Sequence, residues 1–322
     1  MSTSLSASAK QVGPPDNLQY VFVISRHGQR TPIDPSRNLA KNVPEGHGEL
    51  TEEGRQQAFK LGQFIRDRYK DFLQDSGGKP GQLLATHVGI SRCRDSVTET
   101  VRGVGIPVSE IEVDPTRYDL PFFASVDGNI DAVEREPCQG HFSTLGELIA
   151  FIAEKAGMAT EKKRDKFLVV DNLMTHVLNG NPVPDWAKPY WDDIRWADRR
   201  IFQRTLQGNE LSFASYVLGR VLDTFWLKFE RGVEQPDKMH LYSMSDTSVS
   251  SLLRLLSRSY DGRPCFCASV FFEAYKDGSQ NYVRVLFCTE ENPHFVALDE
   301  LENPCEMSKF LERLRAVLKP TK

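Results

Sequence analysis

Arg26-His27-Gly28-Gln29-Arg30-Thr31-Pro32 crowds two guanidinium groups and an imidazole into one short stretch, directly after an apolar run. Guanidinium forks match phosphate oxygens in pairs, and a neutral imidazole nitrogen is a nucleophile able to attack phosphorus. Gly28 has no side chain and would let backbone approach such a ligand closely. The bland alternative is a strand-end histidine satisfied by backbone carbonyls, with the arginines on a solvated face. The crowding of three such groups at one strand end argues for phosphate chemistry instead.

The elements that must position these groups are legible in the local pattern. Tyr20-Val21-Phe22-Val23-Ile24 is a continuous aromatic and β-branched run, the mark of a strand buried on both faces of a parallel sheet. Thr51 caps a helix that opens on Glu52 and Glu53, carries Ala58, Leu61, Phe64, Ile65 and Tyr69 at helical spacing, and closes at Gly77-Gly78. A second strand, Gln82 to Thr86, leads through Gly89 into a helix near Ser91. A third, Met239 to Met244, leads through Ser245-Asp246 into a helix with Val249, Leu252, Leu253 and Leu256. Strand-to-helix junctions of this kind lie at the carboxyl ends of an open α/β sheet, where ligands bind. From Asp114 to Gln235 the pattern turns helical and rich in Trp and Phe, broken by Pro182, Pro184 and Pro189, and reads as an insertion. Ala268 to Tyr275 and Asn281 to Cys288 read as a hairpin around Gly278, and Glu306 to Leu318 as a final helix.

Composition narrows the classes. A chain of 322 residues, 40% hydrophobic and 26% charged, suits one large α/β domain with an insertion. The net charge of -4 provides no basic field for nucleic acid or an anionic membrane, so neither partner is expected. Met1 to Asn17 is a polar tail without the apolar segment of a secretory signal, and no apolar run is long enough to cross a bilayer. Cys93, Cys138, Cys265, Cys267, Cys288 and Cys305 lack a regular spacing, which favours thiols in a reducing, cytoplasmic setting; that inference fails if the chain is a processed fragment. Cys265 and Cys267 have no matching ligand pair and do not read as a zinc site. Of the other histidines, His47 is the one placed near a candidate site, as a rim residue, while His141, His176, His240 and His294 stand in ordinary contexts. Trp186, Trp191 and Trp196 read as anchors of the insertion's own core.

From Arg26 to Pro32 the chain resembles the RHGxRxP signature of the histidine acid phosphatases, the branch of the histidine phosphatase superfamily with a large helical insertion. The likeness continues through Gly48-Glu49-Leu50-Thr51-Glu52-Glu53-Gly54 and from Leu61-Gly62 to Tyr69, thins through the insertion, and returns from Tyr242 to Leu253. The resemblance implies a three-layer α/β sandwich with a mainly parallel sheet, formed by 18–113 and 236–322, under a helical cap, 114–235. It implies phosphomonoester hydrolysis favoured in acid, a phosphate or phosphomonoester ligand, no cofactor and no metal. Some members are dimers, so a homodimer is compatible with it. By the same resemblance His27 is the nucleophile that becomes phosphohistidine, with Arg26 and Arg30 on the equatorial oxygens.

Two positions depart from the pattern. Where the family carries a His-Asp pair, the His binding phosphate and the Asp protonating the leaving oxygen, this chain has Ser245 and Asp246. Where a further phosphate-binding Arg ends the second strand, alignment on Arg92 places Thr86. His87 and Arg92 are the candidates to compensate, although His87 and Thr86, as strand neighbours, face opposite ways. Each charge-assisted hydrogen bond to phosphate is worth about 1.5–3 kcal/mol, so two losses cost roughly 10²–10⁵ in rate. Two readings follow: a weakened phosphomonoesterase using Asp246, or a catalytically silent protein that binds a phosphorylated ligand or partner.

Overall fold

Strand β1 (Leu18–Arg26) is buried at every position but Gln19, as a strand covered on both sides must be. The structure is a computed structural model that describes residues 12–34, 36–39, 43–74, 83–106, 108, 110–115, 130–138, 140–289 and 291–319. Gln82, Gly77-Gly78 and most of the expected tail lie outside these residues. β1 pairs in parallel with β4 (Met239–Met244), β4 with β2 (Leu83–His87), and β2 with β3 (Ile111–Val113). On its other side β1 pairs antiparallel with β5 (Ser269–Asp277), and β5 with β6 (Gln280–Thr289), which β7 (Asn292–Phe295) and β8 (Cys305–Glu306) flank. Strands β1 to β4 and β6 therefore run one way, and the sheet is mixed but mainly parallel. The edge strands β3, β7 and β8 escaped sequence reading because they are too short for a period of two to register. The β5–β6 turn is the two-residue Gly278–Ser279 loop, with Gly278 at φ 58°.

Alternation along β1 sends its side chains into two cores. Val21 and Val23 pack with Leu61 and Ile65 of α1 (Glu52–Arg68) and Val97 and Val104 of α3 (Ser91–Val104); between these helices lies the short α2 (Lys70–Gln74). Tyr20, Phe22 and Ile24 pack on the opposite face with α7 (Glu210–Phe225), α8 (Asp246–Leu256) and α9 (Met307–Leu318). Each such large side chain, fully buried, contributes about 1.5–3 kcal/mol, so helices on both faces of the sheet make three layers. α1 and α3 cross with their backbones in contact, because Gly62 meets Gly103: an added Cβ on Gly62 would lie 2.1 Å from the Thr100 carbonyl oxygen.

A separate core belongs to the cap. Helices α4 (Leu145–Ala156), α5 (Lys163–Leu178) and α6 (Trp191–Leu206) bury their apolar faces against one another, with Ile33 and Leu39 from the loop after β1. Trp186, Trp191 and Trp196 pack against this cluster. Helix α7, inside the segment read as insertion, packs elsewhere: Ala214, Val217, Leu218, Val221 and Phe225 form one stripe that covers the sheet. Cys93, Cys267, Cys288 and Cys305 are thiols. Among the described residues no helix is long and apolar enough to cross a membrane.

Candidate active site

β1 and β4 end side by side, with the His27 backbone N–H donating to the Met244 carbonyl at 3.0 Å, so His27 and Ser245 emerge together at the carboxyl edge of the sheet. Helices α3 and α8 begin at the same edge, and their N-terminal ends favour negative charge. The loop after His27 is held from below: Gly28 N–H donates to Ser96 Oγ at 3.0 Å and Gln29 N–H to Gln57 Oε1 at 2.9 Å. Gly28, expected to make room for a ligand, makes room for α1 instead; a Cβ there would lie 2.2 Å from the Gly54 carbonyl oxygen. From above, Asn172 of α5 and Asn179, the residue that follows it, bind the loop backbone at Ile33, Asp34 and Arg30.

His27 is buried, and its two ring nitrogens are told apart by their partners. Nδ1 donates to the Gly28 carbonyl at 2.8 Å, and Nε2 accepts from Arg92 Nε at 3.1 Å. That is the neutral tautomer with a lone pair on Nε2. Burial, then the nearby charges of Arg92, Arg26 and Arg30, hold its pKa well below the ordinary value, so the lone pair survives into acid.

Four guanidinium groups and three carboxylates surround it. Arg26 lies stacked over Phe266 at 4.2 Å, donates to the Pro264 carbonyl, and stands 3.3 Å from Asp246. Arg30 grips both oxygens of Asp171 on α5, at 3.0 and 2.8 Å. Arg263, from the loop after α8, donates Nε to Asp246 at 2.8 Å, Nη1 to Asp198 at 2.8 Å and Nη2 to Asp171 at 2.6 Å. Arg92 alone of the four has neutral partners, His27 Nε2 and, at 3.3 Å, the Gly48 carbonyl. Within this set one positive charge is left over, and it sits beside His27; Arg164 adds a further guanidinium to the cavity wall. His27, Arg30, Arg92, Ser245, Asp246, Asp171 and Arg263 all line one cavity of about 220 Å³, whose remaining wall includes Ile33, Ile90, Phe167, Leu168 and Phe202.

The carboxylates differ in proton affinity. Burial pushes Asp246 upward, but Arg263 and then Arg26 outweigh it and hold the group well below the usual range. Asp171 behaves alike under Arg30 and Arg263, at about 2. Asp198 is pushed up even though Arg263 is its partner, because burial, reinforced by Asp171 and Asp246, wins there.

Two sequence candidates do not reach the cavity. Thr86 turns into the sheet's other core, where its Oγ1 meets His240 Nε2 at 2.7 Å. His87 faces the opposite way, as strand alternation requires, with its Nδ1 bonded to the Val88 carbonyl, and it does not line the cavity. Arg26 lies behind the lining, joined to it through Asp246. Ser245 does line it, as the N-cap of α8 with its Oγ accepting from Ser248 N–H at 3.3 Å. Asp171, Asp198 and Arg263 were missed. Asp171 had a signal, a charge inside the apolar run Phe167 to Leu173 of a buried helix. Arg263, in a loop without periodicity, had none.

No family model matches the chain. Mouse prostatic acid phosphatase is 24% identical over 347 residues, covering 95% of this chain and 88% of its own length. Human testicular acid phosphatase is 26% identical, covering 93% and 79%. A venom acid phosphatase of Apis mellifera is 22% identical, covering 96% and 88%. Among solved structures, a multiple inositol polyphosphate phosphatase of Bifidobacterium longum superposes with a TM-score of 0.67 at 11% identity over 99% of this chain and 96% of its own. A phytase from Citrobacter braakii gives 0.63 at 15% identity over 94% and 98%. These superpositions establish a common fold.

Proposed function

We propose that this chain, a divergent member of the histidine acid phosphatase family, hydrolyses phosphomonoesters through a phosphohistidine on His27, and does so slowly. The observation that carries the reading is the neutral His27, its Nε2 lone pair held toward the cavity by the Nδ1–Gly28 bond, with the Arg92 cation against it. In the first step Nε2 attacks phosphorus, the ester P–O bond breaks, and the phosphoryl group is carried as phosphohistidine. Arg92 and Arg30 bind its equatorial oxygens, Arg92 turning its N–H from Nε2 to oxygen as the ligand enters. Water then attacks phosphorus, the P–N bond breaks, and inorganic phosphate leaves with neutral His27 restored.

Slowness follows from Asp246. A general acid must hold a proton, and two guanidiniums favour the ionised form of this carboxylate. Substrates whose leaving oxygen departs as an anion, such as aryl phosphates, are therefore favoured over alkyl phosphates. An arriving phosphate dianion raises the proton affinity of Asp246, so activity should rise in acid. The second reading, silent binding of a phosphorylated ligand, draws on the same tethering of Asp246. A cytoplasmic location belongs to the proposal too, supported by the thiols at Cys93, Cys267, Cys288 and Cys305.

Turnover of an aryl phosphate across pH, for the unmodified chain and His27→Ala, tests the reading. Measurable kcat/KM that falls by about 10³ or more in the variant is expected. Phosphate binding with no product release in the unmodified chain would establish the silent alternative.

A further inference from the structure

We propose that Arg263 stands in for the imidazole that residue 245 lacks: its guanidinium, beside Asp246 in the cavity lining, binds the phosphoryl oxygens directly. The proposal rests on the phosphatase reading above and adds to it a residue outside the RHGxRxP and His-Asp patterns. Arg263 comes from the loop after α8, yet its fork reaches across the cavity to three carboxylates on three helices: Asp246 on α8, Asp171 on α5 and Asp198 on α6. The Phe202 ring lies 5.1 Å beneath it. Its five N–H groups make four short contacts with these partners, since Nη2 also stands 2.8 Å from Asp246, so one Nη1 N–H is left for a ligand without breaking the network. A cation held in this way needs little reorganisation when charge arrives, which is what transition-state stabilisation requires.

Position favours a binding role over a staple between cap and core, because Arg263 lines the same cavity as His27, Arg30 and Arg92. Asp171, Asp198 and Asp246 face Arg26, Arg30, Arg92 and Arg263. With Arg263 the set carries one excess positive charge. Removing it takes that set to neutral and leaves Arg30, Arg92 and Arg164 as the cations of the cavity wall.

Titration of the full chain with inorganic phosphate provides the test. Arg263→Gln leaves three carboxylates short of a partner, so the balanced variant Arg263→Gln with Asp198→Asn, which removes one charge of each sign, is measured beside it. Phosphate affinity and aryl phosphate kcat/KM should fall roughly tenfold to a hundredfold in the balanced variant relative to Asp198→Asn alone, which controls for the lost carboxylate. Adding Ser245→His to the balanced variant should recover most of the lost affinity below about pH 6.5, where an imidazole carries charge. Its gain in the unmodified chain should be smaller, because the two cations serve one ligand. Unchanged phosphate affinity in the balanced variant, with only a lower Tm, would reduce Arg263 to a staple and overturn the proposal. Equal gains from Ser245→His in both backgrounds would overturn it as well. An unmodified chain that binds phosphate but releases no aryl alcohol overturns hydrolysis and leaves the Arg263 contact readable in the affinities. One that binds no phosphate at millimolar concentration overturns both.

Discussion

Thr86 and Ser245 look alike as losses of a cation, but their side chains meet different surroundings. Ser245 stands in the cavity at the start of α8, so Ser245→His places an imidazole where phosphate would sit. Phosphate affinity should rise about tenfold, while loss of the N-cap bond to Ser248 lowers stability by about 1 kcal/mol. Thr86 is buried against His240, and Thr86→Arg puts a guanidinium into that core. An uncompensated charge there should cost roughly 3–5 kcal/mol with no gain in phosphate binding. Denaturant midpoints together with phosphate titration separate the two outcomes. Of the two departures from the family pattern, one is thus a beneficial position for a restored cation and the other a harmful one.

At the scale of elements, the site depends on how closely α1 and α3 approach. Gly54 of α1 receives the loop at Gln29, and Arg92 of α3 bonds to His27, so the Gly62–Gly103 crossing fixes the distance between loop and cation. Gly62→Ala would drive a methyl group into the Thr100 carbonyl. The expected loss is about 1–3 kcal/mol together with weaker phosphate binding as Arg92 shifts. Gly219 in α7 has open space around its would-be Cβ. There the same substitution should stabilise by about 0.5–1 kcal/mol, the ordinary helical preference for alanine, and leave phosphate binding alone. Equal effects at the two glycines would show that the close crossing is not what positions Arg92.

For the molecule as a whole, acid is costly. His240 is fully buried, and burial pulls its pKa down to about 3; His27 is depressed as well. An unfolded histidine takes up a proton below about pH 6.5, so for each such group stability is full above that value. It falls by about 1.4 kcal/mol per pH unit below it, until the folded group also protonates. Asp171, held near 2, contributes about 2 kcal/mol that is present above pH 4 and lost as pH falls toward 2. His240→Gln retains a partner for Thr86. Between about pH 6 and 4 it should flatten the slope of unfolding free energy by about 1 kcal/mol per unit. Urea titrations across that range would sink the idea if the slopes coincide. The acid-favoured activity proposed above and the stability lost in acid would together define a narrow working window.

By itself the sequence determined whatever depends on neighbouring residues. A run buried on both faces ended at Arg26-His27, and the caps and apolar spacing placed helices after Thr51, near Ser91 and after Ser245. From these the α/β class, the site's edge and His27, Arg30, Ser245 and Asp246 were legible, since a period of two or 3.6 is a local property. Tertiary structure alone decided which face met which partner. It turned Thr86 toward His240, sent α7 to the sheet instead of the cap, and set Gly28 against Gly54. It also gathered Asp171, Asp198 and Arg263 around Asp246 from separate elements. A lone charge in a helix or loop carries no periodicity that announces its partner. Its meaning arises only when burial removes water and the nearest opposite charge, distant in sequence, becomes the strongest interaction left to it.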